Sequence, residues 1–168
     1  MKHIPETKEE LQDLVNDLSV NLGDIDTSKI TDMSGLFRGT QRTDFSGIEK
    51  WDVSKVEDMN NMFRRAESFN ADISKWDVGN VKDMGCMFAE AKSFNQDISN
   101  WNVSKVEYMN FMFSEATSFN QPIGKWNVGS VENMSCMFDG ATSFNQPIGE
   151  WDVSNVENMQ DMFAFAKS

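Results

Sequence analysis

The stretch Trp51–Lys75, WDVSKVEDMNNMFRRAESFNADISK, decides how this chain folds. It returns almost unchanged from Trp76, Trp101 and Trp126, and a fifth copy starts at Trp151. All 5 tryptophans of the protein hold this one position, 25 residues apart. A fixed period of this length marks a stack of small units, each burying its apolar side against its neighbours.

Each unit divides into two halves. In the first, Val56, Met59, Met62, Phe63 and Ala66 are spaced i, i+3, i+6, i+7 and i+10. At 3.6 residues per turn they share one face, which predicts a helix of about three turns. Ser54 and Glu57 have capping-box spacing at its start. The second half reads SFNADISKW, SFNQDISNW, SFNQPIGKW and SFNQPIGEW. It is too short for a helix and predicts a very short strand with Ile73, Ile98, Ile123 and Ile148 pointing inward. Strand, helix and parallel strand connect right-handedly. Strands stack more closely than helices, so the stack should bend with its strands inside. The expected fold is therefore an α/β repeat solenoid: a right-handed horseshoe with short parallel strands on the concave side and helices on the convex side.

The ends depart from the pattern. Residues 1–24 predict an N-terminal cap helix: Thr7 and Glu10 form a capping box, Leu11, Leu14, Val15, Leu18 and Leu22 follow at helical spacing, and Gly23 stops it. Residues 25–168 predict about six units, the first and last atypical. Ile25 stands where Trp51 stands later, and one extra residue falls between Phe37 and Ile48. Phe163 and Phe165, close to Ser168, would leave apolar surface exposed and invite end-to-end association.

Composition narrows the function. Of 168 residues 27 are acidic and 15 basic, a net charge of −12. This argues against nucleic acid and anionic lipid, which need Lys and Arg against phosphate. No segment approaches the roughly 20 apolar residues of a membrane helix. Met1 to Glu10 has no apolar run of the signal-peptide kind, so the sequence alone suggests a cytoplasmic protein. Cys86 and Cys136 hold the same position two units apart. At about 4.8 Å per unit they are too far apart for a disulfide, which predicts free thiols.

Little in the chain points to catalysis. The one histidine, His3, lies outside the repeats in a tail expected to be solvated. Nothing resembles a phosphate loop, a dinucleotide fingerprint or a zinc site, and no enzyme activity, cofactor or metal is expected. The row Asp52, Asp77, Asn102, Asn127 and Asp152 stacks oxygens of the kind calcium takes. Each lies two residues before the expected helix cap, where Asp and Asn make local turns, and that reading is preferred. Asn70, Asn95, Asn120 and Asn145 are read as structural, bonding the backbone of their own turn and of the next unit. The tryptophans Trp51, Trp76, Trp101, Trp126 and Trp151 are read as structural too.

Two surfaces are candidates for contact with an unidentified protein partner. The strand side carries Asp72, Ser74, Lys75, Asp97, Ser99, Asn100, Lys125 and Glu150, with Gln96, Gln121 and Gln146 in a row beside them. Repeat stacks generally recognise partners on such concave faces. A second patch, on the outer helix face, joins Cys86, Phe111 and Cys136 across three neighbouring units, with Tyr108 close by. It would serve self-association or a partner.

The segments WDVSKVEDMNNMFRRAESFNADIS and SFNQDISNWNVSKVEYMNFMF closely resemble the 25/26-residue repeat of BspA-like bacterial surface proteins, an outlying branch of the leucine-rich repeats. The resemblance covers residues 25–168. It implies a leucine-rich-repeat-like solenoid and a role in adhesion or protein recognition at a bacterial surface, and it supplies no catalytic residues. The alternative is an intracellular scaffold, favoured by the lack of a leader, lipid-attachment cysteine or wall anchor in the chain as it stands.

Overall fold

The computed structural model describes residues 2–167; Met1 and Ser168, the outermost residues of the two expected regions, lie outside them. Helix α1, Lys8–Asn16, is the one α-helix among the described residues. The Thr7 hydroxyl accepts from the Glu10 amide at 3.2 Å, and the Glu10 carboxylate accepts from the Glu6 amide at 2.7 Å. Leu11 and Val15 are buried beneath α1. The helix stops well before Gly23. At its end the buried Arg42 guanidinium donates to the carbonyls of Val15 at 3.1 Å, Asp17 at 2.8 Å and Val20 at 3.2 Å. A side chain from the first unit thus takes carbonyls that a longer helix would have used itself. Leu18 is left exposed, and Leu22 is buried from a separate 3-10 turn, Leu22–Asp24. His3 is not a loose tail: its amide donates to Asp24 and its carbonyl accepts from Asp26, both at 2.8 Å.

The units do not form an α/β leucine-rich-repeat-like horseshoe. Among the described residues there is no α-helix at Val56–Ala66 or its copies, and no sheet. The segment expected to be helical is a run of overlapping tight turns. The amides of Met62, Arg64 and Ala66 bond back to the carbonyls of Met59, Asn61 and Phe63 at 3.1, 3.1 and 3.0 Å. Asn61 and Arg65 both have φ of 58°, the left-handed setting of the third residue in a type II turn. The same two positions are left-handed at Cys86 and Glu90, Phe111 and Glu115, Cys136 and Gly140, and Asp161 and Phe165. Ser54 and Glu57 cap no helix; the Ser54 amide and hydroxyl bond Asp52 Oδ1 at 3.0 and 2.6 Å.

The alternate amides leave the unit altogether. Met59, Asn61, Phe63 and Arg65 donate to the carbonyls of Asp83, Gly85, Met87 and Ala89 in the next unit, at 2.8 to 2.9 Å. In return the Lys82 amide donates to Glu57 at 2.8 Å. Every later junction repeats this set, ending with Met134, Cys136, Phe138 and Gly140 on Asn158, Gln160, Met162 and Ala164. Single-residue parallel bridges join Asp32, Asp58, Asp83, Tyr108, Asn133 and Asn158. These parallel contacts fall in the half expected to be helical. The half expected to be a strand is instead a turn, closed in one unit by the Trp76 amide on the Ile73 carbonyl at 3.1 Å.

The turns point Val, Met and Phe side chains inward. Phe63, Phe88, Phe113 and Phe138 stack along the axis at 5.7 Å between centroids, nearly parallel. Phe69, Phe94, Phe119 and Phe144 form a second ladder at 5.7 to 6.0 Å. Within a unit the two ladders touch face to face, Phe63 on Phe69 at 3.8 Å and Phe88 on Phe94 at 3.9 Å. The tryptophans close the core from a third side, Trp76 lying 6.2 Å from Phe63. Truncating one of these buried rings to alanine should cost about 3–5 kcal/mol by the usual behaviour of core aromatics.

The bridge positions carry carboxylates in three consecutive units. Asp58 lies between Asp32 and Asp83, and burial, then these two charges, push its carboxyl above the ordinary Asp value against the pull of its bond from the Asn60 amide. Asn133 and Asn158 hold the same position in later units and make the same turn bond, Asn133 Oδ1 accepting from Ser135 at 2.9 Å.

Glu115→Gly removes a left-handed penalty of about 1–2 kcal/mol and adds back about 0.5–1 kcal/mol of chain entropy, so its thermal midpoint should be unchanged or higher; a drop of about 1 kcal/mol in denaturant unfolding would instead mark a helix interior. Asp58→Asn should raise stability at pH 7. A raised carboxyl opposes folding once ionised, so the gain should vanish as pH falls and the native carboxyl is protonated. Urea midpoints across the acid range check the sign.

Candidate recognition face

The face formed by the Ile-(Ser/Gly)-x-Trp turns was expected to be the concave strand side. The turn Ile73–Trp76 recurs as Ile98–Trp101 and Ile123–Trp126, each closed by its Trp amide at 3.1 Å. Each indole reaches back one unit. Trp101 Nε1 donates to the Ile73 carbonyl at 3.1 Å, and Trp126 Nε1 to Ile98 at 3.1 Å. Trp51, Trp76 and Trp151 do the same to Leu22, Ile48 and Ile123. The Ile73 carbonyl therefore accepts from both the Trp76 amide and the Trp101 indole. The turns are fixed one above another, and so are the side chains they carry.

Much of the polar surface is already engaged. The Asn95, Asn120 and Asn145 amides donate to the side-chain oxygens of Asn70, Asn95 and Asn120 one unit earlier, at 2.9, 2.9 and 2.8 Å. Gln96, Gln121 and Gln146 donate to the carbonyls of the same three asparagines at 2.9, 2.9 and 3.1 Å. Asp72 accepts from the Ser74 amide at 3.0 Å and Asp97 from the Ser99 amide at 2.9 Å. These serine bonds, from hydroxyl and amide, hold both carboxyls below the usual Asp range. Lys75 stands exposed and away from the groove described next.

Four of the expected residues do come together, Ser99 among them. Asn100, Lys125 and Glu150, in successive units, line a groove of about 450 Å³ with Ser99, Pro122, Gly124 and Pro147. Gly124 is required by close approach: a side chain there would run into the Pro147 carbonyl oxygen. The exposed rings of Pro122 and Pro147 supply apolar wall, and Lys125 and Glu150 add one charge of each sign. This arrangement suits contact with a polypeptide surface and pairs no nucleophile with a base. The prolines and Gly124 were not among the sequence-predicted surface residues. The available signal was the change from Asp72 and Asp97 to Pro122 and Pro147 at one repeat position.

The second patch sits differently from expectation. Cys86, Phe111 and Cys136 occupy left-handed turn corners, not the outer face of helices. Phe111 and Tyr108 are exposed, and the two cysteines are partly buried and free. Burial pushes both thiols above the ordinary cysteine value; Arg64 beside Cys86 opposes this, and Asp139 and Asp161 near Cys136 reinforce it. The row that follows the tryptophans is committed to local turns. Asp52, Asp77, Asn102, Asn127 and Asp152 each accept from the amide two residues on, at 3.0 to 3.2 Å.

Among the described residues no helix is long and apolar enough to cross a membrane. No curated protein and no solved structure is matched by this chain. A family described as "Mycoplasma protein of unknown function, DUF285" matches twice, over residues 8–115 and 81–168. The overlapping matches run from α1 through the last turn, and the chain belongs to this DUF285 family.

Proposed function

We propose that the protein is a non-enzymatic recognition module that binds another protein through the groove on its Trp-turn face. The observation that carries this reading is the groove itself. Asn100, Lys125 and Glu150 stand on backbone that neighbouring units hold rigidly, and their side chains are exposed beside two proline rings. A rigid surface loses little freedom on binding, so such a face can recognise a partner with few contacts. The resemblance of WDVSKVEDMNNMFRRAESFNADIS to BspA-like repeats supports placing that contact at a bacterial surface, as adhesion or protein–protein interaction. The two free cysteines favour a second reading, an intracellular scaffold, because unpaired thiols suit a reducing compartment.

The double variant Pro122→Asp, Pro147→Asp tests the groove without endangering the fold, since Asp72 and Asp97 hold the same position in other units. Its thermal midpoint should stay close to that of the parent. Proteins captured by the parent from the source cells, or from host and matrix extracts, should bind it at least about tenfold more weakly. Equal capture by both forms would refute the groove as the recognition site. Removal of the protein from intact cells by external protease would support the surface reading, and full protection the scaffold.

A further inference from the structure

The outer side of the turn run changes character across four internal units. Arg64 stands in the unit that starts at Trp51, and Asp139 holds the same position in the unit that starts at Trp126. Between them come Ala89 and Ser114, both small and buried. Two small residues between two charged ones leave a hollow of about 290 Å³, lined also by Cys86 and Phe111. Both charged ends are loosely held. Arg64 donates to Asn61 Oδ1 at 3.4 Å, its Nε has no hydrogen-bond partner among the described residues, and Glu90 Oε1 lies 3.8 Å from that nitrogen. Asp139 gives its carbonyl to the Glu115 amide, and its carboxylate accepts no hydrogen bond among the described residues. Phe111 is 39% exposed with φ of 56°, a setting that bulky side chains rarely take. Asn61, Cys86 and Cys136 make the same corner, so the turn itself does not call for a ring.

This pattern is complementary to itself when the order of units is reversed. A half-turn about an axis lying in the face, across the stack, keeps each row of repeat positions opposite its own copy and inverts the sequence of units. With the axis midway between the units of Ala89 and Ser114, positive ends oppose negative ends. The net charge of −12 opposes indiscriminate contact between copies, so a register that pairs opposite signs is favoured over others.

We propose that this face is the contact of a two-fold dimer, in which a second copy of the chain packs antiparallel across the hollow. Arg64 then meets Asp139 of the second copy, twice by symmetry. Phe111 faces Cys86 of the second copy and fills the hollow above Ala89. In the bridge row alongside, Asp83 faces Tyr108 of the second copy and Asp58 faces its Asn133, carboxylates against a hydroxyl and an amide that can donate. Glu90 faces Glu115 of the second copy, and Arg65 offsets this by holding both Glu90 oxygens, at 3.0 and 2.9 Å. The face is separate from the groove on the Trp-turn side, and the proposal does not rest on that groove.

The test uses the whole protein. Sedimentation equilibrium should give twice the 19.1 kDa mass at micromolar concentration. Arg64→Asp and Asp139→Arg should each weaken the dimer about tenfold or more, and the two together should restore it. Within one chain the two positions are three units apart, roughly 14 Å at the parallel spacing, so the rescue must come from contact between copies. Phe111→Asp should give a monomer with the thermal midpoint of the parent, since Asp161 holds the same corner in another unit. In a Cys86→Ser background, Asn61→Cys should yield on air oxidation a covalent dimer linking position 61 to Cys136, a pair too distant for a disulfide within one chain. A monomeric mass at every concentration, with position 61 unlinked, overturns the proposal. So does a dimer that the charge swap fails to restore. Capture of a different protein that Arg64→Asp abolishes, while the parent stays monomeric, would give the face to that protein and overturn it as well.

Discussion

The structure depends on where alternate amides go. A helix satisfies its backbone inside one segment. Here each unit turns half of its amides back three residues and sends the other half to its neighbour. Both solutions satisfy buried backbone, but the second leaves no unit complete alone. Met59, Asn61, Phe63 and Arg65 have acceptors only because the unit starting at Trp76 is there. The left-handed corners are the cost of this arrangement. Each lets the chain reverse within four residues, so that the next outward amide again points along the stack axis.

The side chains reinforce that dependence. Aromatic rings stacked at 5.7 Å bury each unit against both neighbours. The tryptophan carries a polar handle as well as apolar area, and its indole fills the second lone pair of a carbonyl one unit back. Phenylalanine at that position would keep most of the packing and leave the carbonyl half-used. The Asn and Gln rows do the same for loops that have no ladder of their own. The tryptophans and asparagines, which recur at strict intervals, bond across a junction.

This explains what could be read from the sequence and what could not. The period, the core positions of the units and the capped start of α1 at Thr7 were legible, whereas the end of α1 was not. The secondary structure of the unit was not. Met59, Met62, Phe63 and Ala66 have helical spacing, yet turns with corners at Asn61 and Arg65 advance by four residues and bury the same set. Hydrophobic periodicity cannot separate the two. Aligned glycines can: Gly35 matches Asn61, while Gly39 and Gly140 match Arg65, and all three have positive φ. Glycine at both corner positions disfavours a helix and favours a left-handed turn. Placing the strand in the half containing Ile73 failed for a related reason. An apolar residue between turn-formers looks the same whether its backbone pairs or turns. Of the candidate face, the charged residues of the groove were legible as exposed and variable, whereas the place of Pro122 and Pro147 in its wall emerged only once the turns were stacked.

Stacking also decides where recognition can reside. Most polar positions of a unit are taken: Asx turns use Asp52, Asp72 and their copies, and the ladders use Asn70, Gln96 and theirs. A side chain that already holds a neighbouring unit cannot be altered for a partner without weakening the stack. Freedom is left at positions such as those of Lys75, Asn100, Lys125 and Glu150, where charge changes sign between copies while the turn is kept. Pro122 and Pro147 share that freedom, because the serine that Asp72 and Asp97 engage is glycine in those two units, Gly124 and Gly149. The loss of a local turn bond and the gain of an apolar wall are therefore one change. It is confined to consecutive units, so the two proline rings stand side by side and make a groove instead of two isolated apolar spots.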